Sequence, residues 1–371
     1  MTYDVVIIGA GLFGIVTAQH LAEHGLSVAL VERDAQIGGL CRSERHSTRV
    51  EFCPYGTHVM ATDDLGIWRY LSRFADWIDY RHTVHALVDG HLIPMPIGLT
   101  AIRHCYGQEL NPEEARRSVD RDAAPYRNRL PGTVEDVALA SLGPRLYEMF
   151  VAAYVTKQWG VHPSQLDAAV FTSRFAIRFD DEDGYRQRRF EGLPADGYGA
   201  MFARMVSSPL IDLYMSHRGP WPRSRHACVY TGPLDAYFGH RYGRLARRRV
   251  ALEWREVNQV PGVPVTTHPD AATPHYRTHR PDLLPWNQAP AVALVGTERA
   301  GDGEHAVEFV LRTPANTALI RRYRELSDAT TGVVFAGRGA GADFYLDMGQ
   351  TVAAALSWAH QLVSRAGKEI A

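Results

Sequence analysis

The sequence predicts an α/β chain that opens with a Rossmann-like β-α-β unit, passes through a helical insertion and further strands, and closes with a returning strand and helix. Three observations predict it. An apolar strand over residues 4–8 runs straight into Gly9-Ala10-Gly11-Leu12-Phe13-Gly14, followed by a helix over 12–24 and a second apolar strand, 28–31, that ends in Glu32. Residues 99–166 then take up helical spacing after a stretch of alternation at 84–94. Near the end, Val333-Val334-Phe335-Ala336-Gly337-Arg338-Gly339 is another strand entering a glycine-rich turn, and a helix over 350–363 returns the C-terminus to the opening unit.

Bulk properties set limits. At 371 residues the chain is too long for one simple core, so two or three domains are expected. Hydrophobic residues make up 46% and charged residues 22%, ordinary values for a globular enzyme. The net charge of −1 gives no global attraction to nucleic acid or to an anionic membrane, and no such partner is expected. No apolar run approaches the roughly eighteen residues of a membrane helix, and no basic leader precedes the first strand. The four cysteines, Cys41, Cys53, Cys105 and Cys228, lack C-x-x-C spacing. They point to a reducing cytoplasm, with neither a disulfide framework nor a zinc site.

The opening unit carries the first chemistry. Gly9 permits the tight turn, Gly11 lets backbone approach a pyrophosphate, and Gly14 lets helix and strand pack closely. The helix N-terminus, with Leu12 and Phe13, offers unpaired N–H groups to phosphate. Glu32, 18 residues after Gly14, stands where a carboxylate holds a ribose hydroxyl. The bland alternative is a glycine-rich turn in an ordinary β-α-β unit. Arg33 follows the acid, and Gly38-Gly39-Leu40 forms a second glycine loop. An acid followed by a Gly-Gly loop is the pattern of FAD-binding oxidase-like proteins, so FAD is expected rather than a nicotinamide.

The rest follows in order. Tyr55-Gly56-Thr57-His58 reads as a tight turn carrying a histidine, and 67–79 as an amphipathic helix. Residues 84–94 form a hairpin turning at Asp89-Gly90. Asn111-Pro112-Glu113-Glu114 and Thr133-Val134-Glu135-Asp136 start helices, and a third covers 144–158. Residues 168–198 read as strand, loop and strand and carry Arg174, Arg178, Arg186, Arg188 and Arg189. They form either a solvated basic face or a site where guanidinium groups grip a diphosphate. A short helix over 199–206 and strands over 227–231 and 244–256 come next. Seven prolines between Pro261 and Pro290 predict loops and short edge strands. Strands at 292–295 and 307–311 and a helix at 317–326 complete the chain.

These residues resemble the bacterial UDP-galactopyranose mutases. The resemblance spans nearly the whole length. It rests on Gly-Ala-Gly-Leu-Phe-Gly at 9–14, Tyr55-Gly56-Thr57-His58, Tyr154-Val155-Thr156-Lys157-Gln158-Trp159-Gly160, Arg174-Phe175-Ala176-Ile177-Arg178-Phe179, Glu191-Gly192-Leu193-Pro194 and Tyr230-Thr231-Gly232-Pro233-Leu234-Asp235. Arg338 with Tyr345, Asp347, Met348 and Gln350 closes the set. What it implies is a flavoenzyme with a discontinuous FAD domain (1–80, 205–240 and 318–371), a helical domain (98–166) and an antiparallel sheet domain (81–97, 167–204 and 241–317). Its implied reaction interconverts pyranose and furanose forms of a nucleotide sugar, UDP-galactose or a variant, through attack of the reduced flavin N5 on the anomeric carbon.

By the same resemblance, Arg174 and Arg338 hold the diphosphate and Tyr345 assists. Tyr154, Trp159 and Tyr185 line the substrate pocket, with Arg178 beside them. Gly9, Gly11, Leu12, Phe13, Gly14, Glu32, Arg33, Gly39, Leu40, Tyr55, Gly56, Arg338, Asp347 and Met348 bind FAD, and His58 sits by its ring. On analogy alone, NAD(P)H is named as the reductant and a homodimer as the assembly. The chain departs from the family pattern in 260–315: Arg277 survives in Tyr276-Arg277-Thr278-His279 and Arg299 follows Thr297-Glu298, both counted among the expected substrate-binding residues, and Arg312-Thr313-Pro314 replaces tandem tyrosines. An amine-oxidase-like FAD oxidoreductase is the alternative, against which the Arg174 and Arg338 pair argues. A scaffold that has lost its chemistry is a third reading.

Overall fold

The computed structural model describes the whole chain apart from residues 129, 173–176, 183, 186–187, 289, 304–305, 341–345 and 371, and apart from the side chains of 172 and 366–370. Arg174, Arg186 and Tyr345 therefore lie outside the described residues.

The opening strand Thr2–Ile8 sits at the centre of a five-stranded sheet. Its order across the sheet is Ile211–Tyr214, Val28–Val31, Thr2–Ile8, Arg223–Tyr230, Val333–Phe335, and every neighbouring pair is parallel. In chain order this is 3-2-1-4-5, so the winding reverses between Thr2–Ile8 and Arg223–Tyr230. Ligands bind such sheets at the carboxyl ends of the strands flanking the reversal, which here are Gly9 and Thr231. The helix Leu12–Glu23 covers one face, and the final helix Met348–Ile370 packs along it. Ala355 and Ala359, one turn apart and fully buried, allow that close approach. No helix among the described residues is long and apolar enough to cross a membrane.

The second sheet has seven strands, ordered Val307–Val310, Arg247–Val257, Ala293–Ala300, Arg277–His279, Val265–Thr267, Val84–Val88, His91–Met95. Its neighbours are antiparallel except for the parallel pairing of Val265–Thr267 with Val84–Val88. The hairpin turns at Asp89 (φ 49°) and Gly90 (φ 79°), the left-handed pair a tight two-residue loop requires. The proline-rich stretch predicts edge strands, but its strands Val265–Thr267 and Arg277–His279 lie inside the sheet instead. Both are three residues long and fall between prolines, so no ladder hydrogen bond is lost.

Two further expectations are corrected. The described residues of 167–204 do not join the antiparallel sheet: Ala169–Thr172 is a helical turn, and Phe190–Pro194 pairs with Met60–Thr62 and Trp77–Asp79 in a separate three-stranded sheet. The helix expected over 67–79 stops at Leu71, and the chain reverses into the strand Trp77–Asp79. The ring of Trp77 then lies 4.3 Å from that of Trp68, so the aromatic spacing reflects a fold-back rather than one helical face.

The helical insertion contains Leu99–Tyr106, Pro112–Ala123, Val134–Tyr147 and Ala153–Trp159. Asn111 caps the second by accepting from the Glu113 and Glu114 amides, both at 3.0 Å. Thr133 caps the third by accepting from the Asp136 N–H at 3.2 Å. These are the stops and starts that Ser/Thr/Asn side chains impose on orphan helix amides.

Candidate active site

The glycine loop is built for close backbone approach. Gly9 has φ 109°, and a Cβ there would lie 2.0 Å from the Thr231 hydroxyl. A Cβ on Gly14 would lie 2.0 Å from the Gly9 carbonyl. Gly11 differs: its Cα faces open space, with nothing within 4 Å of an added Cβ. It is also the N-cap of Leu12–Glu23, and no side chain caps the free amides of that helix. Glu32 is buried, accepting from the Ala10 amide at 2.8 Å and from the Asp34 amide at 3.0 Å. A carboxylate has about four acceptor positions, so it can still receive a ribose hydroxyl. Leu12 and Phe13 are buried beneath the loop, and Arg33 is exposed.

The second glycine loop lies against the first. The Gly38 amide donates to the Ala10 carbonyl at 2.7 Å, and an added Cβ on Gly39 would stand 3.1 Å from the Gly11 Cα. Leu40 and Tyr55 pack against the sheet-and-helix core, and Arg42 lies 4.9 Å from the Tyr55 ring centroid. The turn Gly337–Ala340 closes from the far end of the chain. Gly337 packs on Phe13, and a Cβ on Gly339 would meet the Thr231 carbonyl at 2.3 Å. Burial pushes the Cys41 thiol up to about 11, against an opposing pull from the Arg338 guanidinium. Asp347 caps the last helix: its carboxylate accepts from the Gln350 amide at 2.8 Å while the Gln350 side chain accepts from the Asp347 amide at 3.0 Å. Met348 is buried against the core shared with the opening helix.

A buried carboxylate hub lies beside this cradle. Glu298 accepts from the Tyr276 hydroxyl at 2.7 Å, from Arg277 Nη1 at 3.3 Å and from His279 Nε2 at 3.1 Å. Arg277 Nη2 also donates to the Tyr154 hydroxyl at 2.5 Å. Burial pushes the Glu298 carboxyl up, but the Arg277 charge and the donors from His279 and Tyr276 outweigh it and hold the group at about 2. Burial pulls Arg277 down, and the attraction of Tyr154, Glu298 and Tyr185 more than restores it, so it stays charged. Arg277 Nε is buried with no hydrogen-bond partner among the described residues. His279 in turn meets Thr57: its Nδ1 lies 3.0 Å from the Thr57 hydroxyl and accepts from the Thr57 amide at 3.4 Å. His58 donates through Nδ1 to the Gly56 carbonyl at 2.6 Å.

The structure thus links Tyr154, Arg277 and the 55–58 loop through Glu298 and His279. Arg178 braces backbone, donating to the carbonyls of Glu182 at 3.1 Å and Gly184 at 3.2 Å. Tyr185 follows that loop, its amide on the His82 carbonyl at 2.8 Å. Trp159 is 4% exposed and meets Phe309 edge to face, between helices and sheet. Its neighbour Lys157 donates to the carbonyls of His268, Thr273 and His275, tying down the loop before Arg277. Arg299 is corrected outright. Alternation on Ala293–Ala300 turns Glu298 inward and Arg299 to solvent, where it pairs with Glu253. Tyr276, His279 and Glu298 are the residues sequence reasoning missed. Period-two alternation across Thr297-Glu298-Arg299 was the available signal for Glu298; nothing local marks His279.

Comparison with known proteins gives the family. The family model for UDP-galactopyranose mutase matches residues 149–342, and that for the NAD(P)-binding Rossmann-like domain matches residues 7–74. The chain is 31% identical to a probable UDP-galactopyranose mutase of Klebsiella pneumoniae, covering 97% of this chain and 95% of that one. It is 27% identical to a dTDP-fucopyranose mutase of Escherichia coli over 98% of this chain and 99% of that one. A crystal structure of reduced UDP-galactopyranose mutase superposes with a TM-score of 0.74 at 14% identity, covering 98% of this chain and 94% of that one. A putrescine oxidase reaches 0.62 at 11% identity, covering 98% and 99%; at such identities the likeness concerns the fold. With a family model over more than half of the chain and a 31% identical relative covering 97% of it, the chain belongs to the UDP-galactopyranose mutase family of mutase enzymes.

Proposed function

We propose that this enzyme is a flavin-dependent nucleotide-sugar mutase, interconverting the pyranose and furanose forms of UDP-galactose or a closely related sugar nucleotide. The observation that carries the reading is Arg277: half-buried, held ionised by Glu298, hydrogen-bonded to Tyr154, and linked through His279 and Thr57 to the loops of the dinucleotide cradle. A fixed guanidinium suits a substrate that brings phosphate. It would repel the ammonium of an amine, which counts against the oxidase alternative despite the shared fold.

The residues present fit FAD. Gly11 and the uncapped amides of Leu12–Glu23 face the space a pyrophosphate needs, Glu32 keeps acceptor capacity for a ribose, and the second glycine loop provides bare backbone next to both. Bound in its reduced form, FAD would supply the nucleophile for the anomeric carbon. The protein's share is binding and charge stabilisation. Arg338, whose charge is felt at Cys41, and Arg174 would take the diphosphate, with Tyr345 assisting. Arg277 and Tyr154 would orient the sugar nucleotide, and Trp159 would stiffen the wall behind Tyr154 (both are buried in one core).

The test is turnover of a panel of UDP-, dTDP- and GDP-sugars by the dithionite-reduced enzyme, with pyranose and furanose products resolved by chromatography. Ring isomerisation of at least one is expected. Absence of any ring isomer, together with oxygen consumption on an amine, would reverse the assignment in favour of the oxidase.

A further inference from the structure

His279 is an unusual residue to find where it is. It is 2% exposed and stands in the middle of the seven-stranded sheet, between a carboxylate and a loop from the opening domain. Its two ring nitrogens have distinct partners. Glu298 Oε2, at 3.1 Å from Nε2, only accepts, and the Thr57 amide, at 3.4 Å from Nδ1, only donates. The partners therefore assign the tautomer: neutral imidazole, proton on Nε2, lone pair on Nδ1. The Thr57 hydroxyl, at 3.0 Å, then donates to the same lone pair. Burial, reinforced by Arg277, also disfavours a second proton on the ring, although Glu298 pulls the other way.

On one side, Glu298 holds Arg277, and Arg277 holds Tyr154. On the other, Thr57 belongs to the turn between Tyr55, which faces Arg42 of the second glycine loop, and His58. Gly56 permits the contact: with φ 99°, even an added Cβ would only touch the imidazole, at 3.5 Å from Cε1. We propose that His279 is a positioning residue of the mutase reaction, whose hydrogen bonds to Glu298 and Thr57 set the placement of the cofactor-side Tyr55–His58 turn relative to the substrate-side Arg277–Tyr154 pair. The inference rests on the mutase reading. The reaction needs a sugar carbon and a cofactor atom in contact, and small misplacements between two such groups are costly in rate.

The experiment compares FAD-loaded wild type with His279→Leu, His279→Gln and Thr57→Val. Leucine fills the volume and makes neither bond; glutamine can donate to Glu298 and accept from Thr57. His279→Leu is expected to lower kcat about 10- to 100-fold while KM stays within about threefold. The absorption band of its bound flavin should shift, and His279→Gln should recover most of both. Thr57→Val should lower kcat severalfold, and combined with His279→Leu it should add nothing further. If His279→Leu lowers only the thermal midpoint, with kcat and flavin band unchanged, the positioning role is wrong. It is equally wrong if glutamine is no better than leucine. Should His279→Leu fail to fold, Thr57→Val and His279→Gln decide: an unchanged kcat and band in Thr57→Val overturn the proposal. A wild type that turns over no nucleotide sugar overturns the mutase reading instead. The flavin band of the variants then still reports whether His279 sets the cofactor-side turn.

Discussion

Replacing Glu298 with glutamine probes the centre of the hub. The carboxylate receives three donors: Tyr276 at 2.7 Å, His279 at 3.1 Å and Arg277 at 3.3 Å. Glutamine offers one acceptor oxygen and one NH2 group. The Tyr276 hydroxyl can rotate to accept; a guanidinium N–H and an imidazole Nε2–H cannot. Arg277 and His279 share Oε2, so a glutamine oxygen placed there keeps both bonds while its NH2 meets the rotated Tyr276; what is lost is the counter-charge of the half-buried Arg277. Removing one member of a buried pair costs about 3–5 kcal/mol. The carboxyl gives an independent figure. It is held at about 2 against an ordinary 4.5, a gap worth about 3 kcal/mol. The folded value is the lower one, so this stabilisation is present above pH 4.5 and is lost as pH falls from 4.5 towards 2. Urea unfolding followed by tryptophan fluorescence should therefore show a wild-type advantage of about 3 kcal/mol at neutral pH. The advantage should narrow on acidification below 4.5. A difference under about 1 kcal/mol at neutral pH, or one that widens in acid, would refute the hub as the anchor of Arg277.

The other predictions separate roles. Gly11→Ala should fold normally, since φ is −78° and the new methyl meets no protein atom, but should purify with less FAD, its affinity lowered at least about tenfold. Gly9→Ala should instead destabilise the fold by about 2 kcal/mol or more, with φ at 109° and a clash at Thr231; thermal melts and the flavin-to-protein absorbance ratio distinguish the two. Arg174→Ala should abolish turnover while FAD stays bound, and full activity would remove Arg174 from the diphosphate site. Arg299→Ala should leave kcat and KM within about twofold, because a solvent-facing pair with Glu253 contributes little; a large loss would return Arg299 to the site.

The sequence by itself determined the parallel half of this protein. The strand, glycine turn, helix and acid of residues 4–32 are neighbours in the chain, and their job follows from local geometry: positive φ at Gly9, bare backbone at Gly11, unpaired amides at a helix start. The helix caps at Asn111 and Thr133 were legible for the same reason. The strand Trp77–Asp79 was not, because pairing with a segment beyond residue 189 overrode helical spacing. Tertiary structure alone decided the hub. Thr57, Tyr154, Tyr276–His279 and Glu298 come from four separate stretches and meet only when the seven-stranded sheet sets its register, with Arg277 opposite Glu298. That register also chose between adjacent residues. Successive side chains on a strand face opposite sides, so Glu298 entered the core and became the counter-charge of Arg277, while Arg299, the residue whose charge drew notice in the sequence, was turned out to water.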